Sequence, residues 1–146
     1  MERHSLRIIG QAKDFGNEEP RVPLYASPVQ AGWPSPAEDY IEAEINLHEF
    51  MVKNPAATFF LRAAGDSMTG VGIHEGDILV VDRSADAHHG KVVIAALDGE
   101  LLVKRLTRRE GKVFLSPANP EYPEIEISNR EYVHIWGVVT YVIHKL

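Results

Sequence analysis

The stretch KVVIAALDGELLVKRL, residues 91–106, holds two runs of strand-forming residues, Lys91–Leu97 and Glu100–Leu106, on either side of Asp98-Gly99. An Asp-Gly pair between two such runs is a strong hairpin signal, because a tight primed turn requires positive φ at both central residues. Working outward, Ile78-Leu79-Val80-Val81 follows the turn-forming Glu75-Gly76-Asp77, and Thr58–Ala63 ends at Gly65-Asp66. Lys112–Leu115, Glu124–Ile127 and Tyr132–Ile143 are further strands by the same criteria, the first two separated by the proline-rich loop Ser116–Pro123. One short helix is expected after Asn46, an N-cap residue with Glu49 at the third helical position and Leu47, Phe50 and Met51 at apolar spacing, closed by Asn54-Pro55. The fold class is therefore mainly β, built of twisted antiparallel sheets and hairpins with one short helix.

Five of the nine prolines, Pro20, Pro23, Pro28, Pro34 and Pro36, fall within residues 20–36, where a helix or central strand could hardly survive. Residues 1–31 read as an extended arm with four basic and four acidic side chains and no core element, so the net charge of −6 belongs to residues 32–146. At 146 residues one domain is the expectation. The acidity argues against a protein held mainly by phosphate contacts. The basic cluster Lys104, Arg105, Arg108, Arg109 and Lys112 reads as a solvated hairpin end with Lys104 turned inward. The absence of cysteine excludes a disulfide scaffold, a thiolate zinc site and a cysteine nucleophile. The longest apolar run, Val92–Leu97, is far short of a membrane span, and the N-terminus lacks an export signal's apolar core, so a cytoplasmic protein is expected.

Two segments carry possible chemistry. Ala63-Ala64-Gly65-Asp66-Ser67-Met68 is a strand ending in a glycine turn that presents a serine, and backbone N–H groups at such a turn can stabilise an oxyanion. Gly-Asp-Ser is also ordinary turn chemistry. A serine needs a base. None of the seven histidines has a spacing that singles it out, and no metal site or cofactor is expected. Strand alternation instead places Lys104 between Leu102 and Leu106, where a desolvated lysine would lose its proton more readily; the alternative is a lysine snorkelling from an edge strand.

Together these segments resemble the LexA/UmuD family of self-cleaving proteins with a serine–lysine dyad. The resemblance runs from Val29-Gln30-Ala31-Gly32-Trp33-Pro34-Ser35-Pro36-Ala37 through Gly65-Asp66-Ser67-Met68, Glu75-Gly76-Asp77, Val80-Val81-Asp82 and Ala95–Glu100 to Val103-Lys104-Arg105 and Trp136-Gly137-Val138-Val139. It implies a single peptidase domain of the LexA/UmuD C-terminal type over residues 32–146 and a removable arm, residues 1–31. It further implies a nucleophile at Ser67, a general base at Lys104, backbone oxyanion donors at Ser67 and Met68, and a scissile bond at Ala31–Gly32. Alanine before that glycine is the LexA pattern, where UmuD members can carry cysteine. Residues 1–31 are too short and proline-rich for a repressor's helix-turn-helix domain. The resemblance thus implies the UmuD branch: an SOS mutagenesis factor, cleaved under stimulation by RecA filaments on single-stranded DNA, whose processed homodimer joins a UmuC-type error-prone polymerase. No sequence-specific DNA binding and no membrane association are implied. A non-catalytic binding module, with the dyad idle, is the alternative.

Overall fold

A computed structural model describes residues 6–14, 21–25 and 41–146. In chain order the strands are β1 (Arg7–Gln11), β2 (Val22–Tyr25), β3 (Ile41–Ile45), β4 (Thr58–Arg62), β5 (Ile78–Asp82), β6 (Val92–Leu97), β7 (Glu100–Arg109), β8 (Lys112–Ser116), β9 (Ile125–Glu126) and β10 (Val133–Ile143), with one helix, α1 (Leu47–Met51). The chain divides into two compact units, Met1–Phe15 with Asn54–Leu146, and Gly16–Lys53.

The larger unit is an eight-stranded antiparallel sheet in the order β1-β4-β5-β10-β6-β7-β8-β9. The decisive hairpin forms as the sequence predicts: Leu97 pairs with Glu100, and Asp98 and Gly99 sit at φ +50° and +80°. The next turn repeats the device with Glu110 at +51° and Gly111 at +75°, which carries β7 on to Arg109, three residues beyond the predicted end.

Both faces of β6 are covered. Ile94 lies in one apolar cluster with Leu61, Met68, Leu79, Val81 and Val103, while Val93 and Ala95 lie in a second with Leu106, Leu115 and Val138. Successive strand residues point to opposite faces. A strand buried on both sides therefore reads as an unbroken apolar run, as Val92–Leu97 does, rather than as an alternation.

The expectation that residues 1–31 contribute nothing to the core is overturned. β1 pairs with β4 along Arg7↔Arg62, Ile8↔Leu61, Gly10↔Phe60 and Gln11↔Phe59, with an irregularity between Ile8 and Gly10. Leu6 is 9% exposed within the first apolar cluster, and Ala12 is fully buried. Two exposed isoleucines, Ile8 and Ile9, followed by glycine give no period-2 pattern, which is why the strand escapes a reading by alternation.

In the smaller unit β2 pairs with β3, Val22 opposite Ile45 and Leu24 opposite Ala43. Pro23 is tolerated because every strand of a two-stranded sheet is an edge. The Asn46 side chain accepts the Glu49 N–H at 3.2 Å, as a capping residue should. The helix stops at Met51, and Pro55 opens a separate 3₁₀ turn, Pro55–Ala57, rather than closing the helix. Among the described residues no helix is long and apolar enough to cross a membrane.

Candidate active site

β4 delivers the serine. Beyond Arg62 the backbone is still tied to the turn before β5: the Ala63 N–H donates to the Asp77 carbonyl at 2.8 Å, and the Gly76 N–H donates to the Ala63 carbonyl at 2.9 Å. Gly65, at φ +79°, then reverses the chain in a conformation that a side chain would disfavour. Asp66 is exposed and Met68 is 1% exposed in the core, so Ser67 is held half-buried at the rim between an anchored and a solvated neighbour.

The loop after β8 clamps this turn. The Ala118 N–H donates to the Ser67 carbonyl and the Gly70 N–H donates to the Ala118 carbonyl, both at 2.7 Å. Asn119 Nδ2 donates to the Asp66 carbonyl at 2.9 Å, and the Tyr122 hydroxyl donates to the Asp66 carboxylate. Gly70 is required by this contact, since a Cβ there would lie 2.4 Å from the Ala118 oxygen. The loop is itself pinned at its far end. Arg109 donates to Glu124 through two nitrogens at 2.9 and 2.6 Å and Ser116 Oγ donates at 2.6 Å, which together hold the Glu124 carboxyl down at about 2. In sequence Ser116–Pro123 reads as a separator between two strands, and no local pattern marks Ala118, Asn119 or Tyr122 as partners of Asp66 or Ser67, more than fifty positions earlier.

β7 delivers the lysine. Lys104 lies opposite Val93 in the sheet and is only 8% exposed, whereas Arg105, Arg108, Arg109 and Lys112 are all exposed. The inward lysine and solvated hairpin end read from the sequence are both present, and the snorkelling alternative is set aside. Burial lowers the Lys104 pKa by penalising its charged form. Its Nζ lies 5.5 Å from the centroid of the Tyr122 ring, and among the described residues no carboxylate pairs with it. Without a counter-ion the desolvation is uncompensated, so the ammonium gives up its proton at lower pH than a free lysine.

Serine and lysine line the same space, a cavity of about 220 Å³ walled by Ala64–Ser67 on one side, Leu101–Lys104 on the other, and by Leu6 and Tyr122. Leu6 was not anticipated there. Among the described residues, neither the Ser67 nor the Met68 N–H has an acceptor. The predicted scissile residues Ala31 and Gly32 lie outside the described residues. Two of the seven histidines, His74 and His144, which no spacing singles out in sequence, meet around Asp77 at a site that shares no residue with this cavity.

Residues 23–140 match the peptidase S24-like family model. The chain is 50% identical over 134 residues to Protein ImpA of Escherichia coli, covering 92% of this chain and 91% of that protein. It is 48% identical over 121 residues to Protein MucA of Escherichia coli, covering 82% of each. The LexA repressor of Aliivibrio fischeri is 40% identical over 141 residues, 96% of this chain and 67% of the repressor.

Proposed function

Because the chain belongs to the peptidase S24-like family, as a UmuD-like SOS mutagenesis protein and autoproteolytic serine peptidase, we propose that Ser67 and Lys104 are its dyad and Ala31–Gly32 its target. The observation that carries this reading is a half-buried serine on one small cavity with a desolvated lysine that no carboxylate pairs among the described residues. Neutral Lys104 accepts the Ser67 hydroxyl proton as Oγ attacks the Ala31 carbonyl carbon. The oxyanion of the tetrahedral intermediate is received by the N–H groups of Ser67 and Met68. Lys104 then returns the proton to the Gly32 nitrogen as the Ala31–Gly32 bond breaks, leaving Ala31 as an ester on Ser67. Water, deprotonated by the same amine, attacks that ester, and the ammonium returns the proton to Ser67 Oγ as the ester bond breaks, which releases residues 1–31 with a new carboxylate and leaves residues 32–146 with the new amine.

The removable arm therefore takes β1 and Leu6 with it, and cleavage alters both the edge beside β4 and one wall of the cavity. The family resemblance supports a processed homodimer that joins a UmuC-type polymerase, cleavage stimulated by RecA filaments on single-stranded DNA, and residence in the cytoplasm. The test is to incubate the purified chain with RecA filaments beside Ser67→Ala and Lys104→Ala. Wild type is cut and both variants stay whole while retaining the wild-type circular dichroism spectrum. Cutting of Ser67→Ala at the wild-type rate removes the nucleophile assignment, and an uncut wild type means an idle dyad and a binding module.

A further inference from the structure

We propose that His74, Asp77 and His144 form a binding site for a divalent zinc-like cation on the larger unit, separate from the serine–lysine cavity. The backbone builds the trio from residues far apart in sequence. β10 runs antiparallel to β5 with Ile143 opposite Ile78, so the next position along each strand sets His144 against Asp77. The turn His74–Asp77 closes with the Asp77 N–H on the His74 carbonyl at 3.1 Å, helped by Gly76 at φ +88°, and brings His74 back to the same carboxylate.

The result is one buried carboxylate facing two exposed imidazoles. The Asp77 side chain is 4% exposed, those of His74 and His144 are 50% and 44% exposed, and the two rings stand 5.0 Å apart between centroids. Asp77 Oδ1 lies 2.5 Å from His144 Nδ1, and Oδ2 lies 3.8 Å from His74 Nδ1. Ligand atoms from all three residues lie within 4.8 Å of one another. A tetrahedral zinc ion with bonds of about 2.0–2.1 Å needs its ligand atoms roughly 3.3 Å apart. The closest pair must open by less than ~1 Å and the widest close by about 1.5 Å, adjustments that rotation of two half-exposed rings supplies.

Two features suit the trio to a metal beyond an ordinary ion pair. The carboxylate is pre-oriented, because its Oδ2 accepts the His74 backbone N–H at 2.8 Å and leaves Oδ1 toward His144. Two imidazole nitrogens and one carboxylate oxygen select a borderline transition cation over magnesium or calcium. Three protein ligands leave the fourth position to water. An ion there would staple the end of β10 to the turn before β5, whose Gly76 and Asp77 backbone groups hold Ala63, four residues ahead of Ser67.

The test is calorimetric titration of the chelator-treated full chain with zinc chloride at neutral pH, repeated with His74→Gln, His144→Gln and, as a control, His88→Gln. Both site histidines are exposed, so their replacement leaves the fold in place, which circular dichroism checks. One equivalent of zinc is expected to bind wild type and His88→Gln alike, and at least tenfold more weakly to each site variant. Cobalt(II) chloride should give wild type the intense visible absorption of a four-coordinate ion, lost in His144→Gln, and zinc should raise the melting temperature of wild type and His88→Gln but not of the two site variants. Binding that persists unchanged in both site variants, or no binding by wild type up to millimolar zinc, overturns the proposal.

Discussion

Leu6 offers the sharpest test of how the N-terminal segment is held. Truncating it to alanine removes a side chain that is 9% exposed, packed with Leu61, Ala63 and Met68, and walling the cavity beside Ser67. Leucine-to-alanine changes in cores cost about 2–5 kcal/mol. A side chain at a cavity wall leaves less new void than one deep in a core, so about 2–3 kcal/mol is the expected loss. Against a typical total of about 5–15 kcal/mol the chain stays folded. The assay is urea unfolding in a Ser67→Ala background, so that the arm stays attached. With a slope of about 2 kcal/mol per molar, the midpoint falls by roughly 1 M. A chain starting at Gly32 lacks Leu6, the buried Ala12 and the β1–β4 ladder, and so should be destabilised at least as much yet still fold on β4–β10. A midpoint shift below about 0.2 M for Leu6→Ala would refute the docking of residues 6–12 against β4.

The lysine makes cleavage pH-dependent in a defined direction. Since burial lowers the Lys104 pKa and only the neutral amine accepts a proton, activator-free cleavage should rise about tenfold per pH unit and level off above that lowered pKa. A plateau near pH 7, or cleavage by Lys104→Arg, whose guanidinium keeps its proton, would move the base elsewhere. Ala31→Val or Gly32→Val should slow cleavage at least tenfold, about 1.4 kcal/mol, because branching at Cβ obstructs entry of the bond into a narrow site. Gel densitometry of RecA-stimulated reactions reads this directly, and normal rates at the same bond would refute it.

Where local chemistry dominates, the fold was legible. Asp98-Gly99 set a hairpin because its φ demands are local, and Thr58–Ala63, Ile78–Val81 and Tyr132–Ile143 stand within a residue or so of β4, β5 and β10. Non-local partners were not legible. β1 is an edge strand with exposed Ile8 and Ile9, and Pro23 disguised β2, which pairs with β3 alone. In the site, Ser67 and Lys104 stood out because a turn and an apolar strand frame each of them in sequence. Tyr122 and Asn119 reach Asp66 across more than fifty residues, and His144 reaches Asp77 across sixty-seven, through contacts that leave no periodicity behind.

The central claim, a Ser67–Lys104 dyad that cuts the chain's own arm, is tested most directly by intact-mass spectrometry of the purified protein after incubation with RecA filaments on single-stranded DNA. The account predicts two products, residues 1–31 and 32–146, whose masses sum to the parent plus one water, and a parent mass unchanged in Ser67→Ala. A cut at another bond, or the same two products from Ser67→Ala at the wild-type rate, would contradict it.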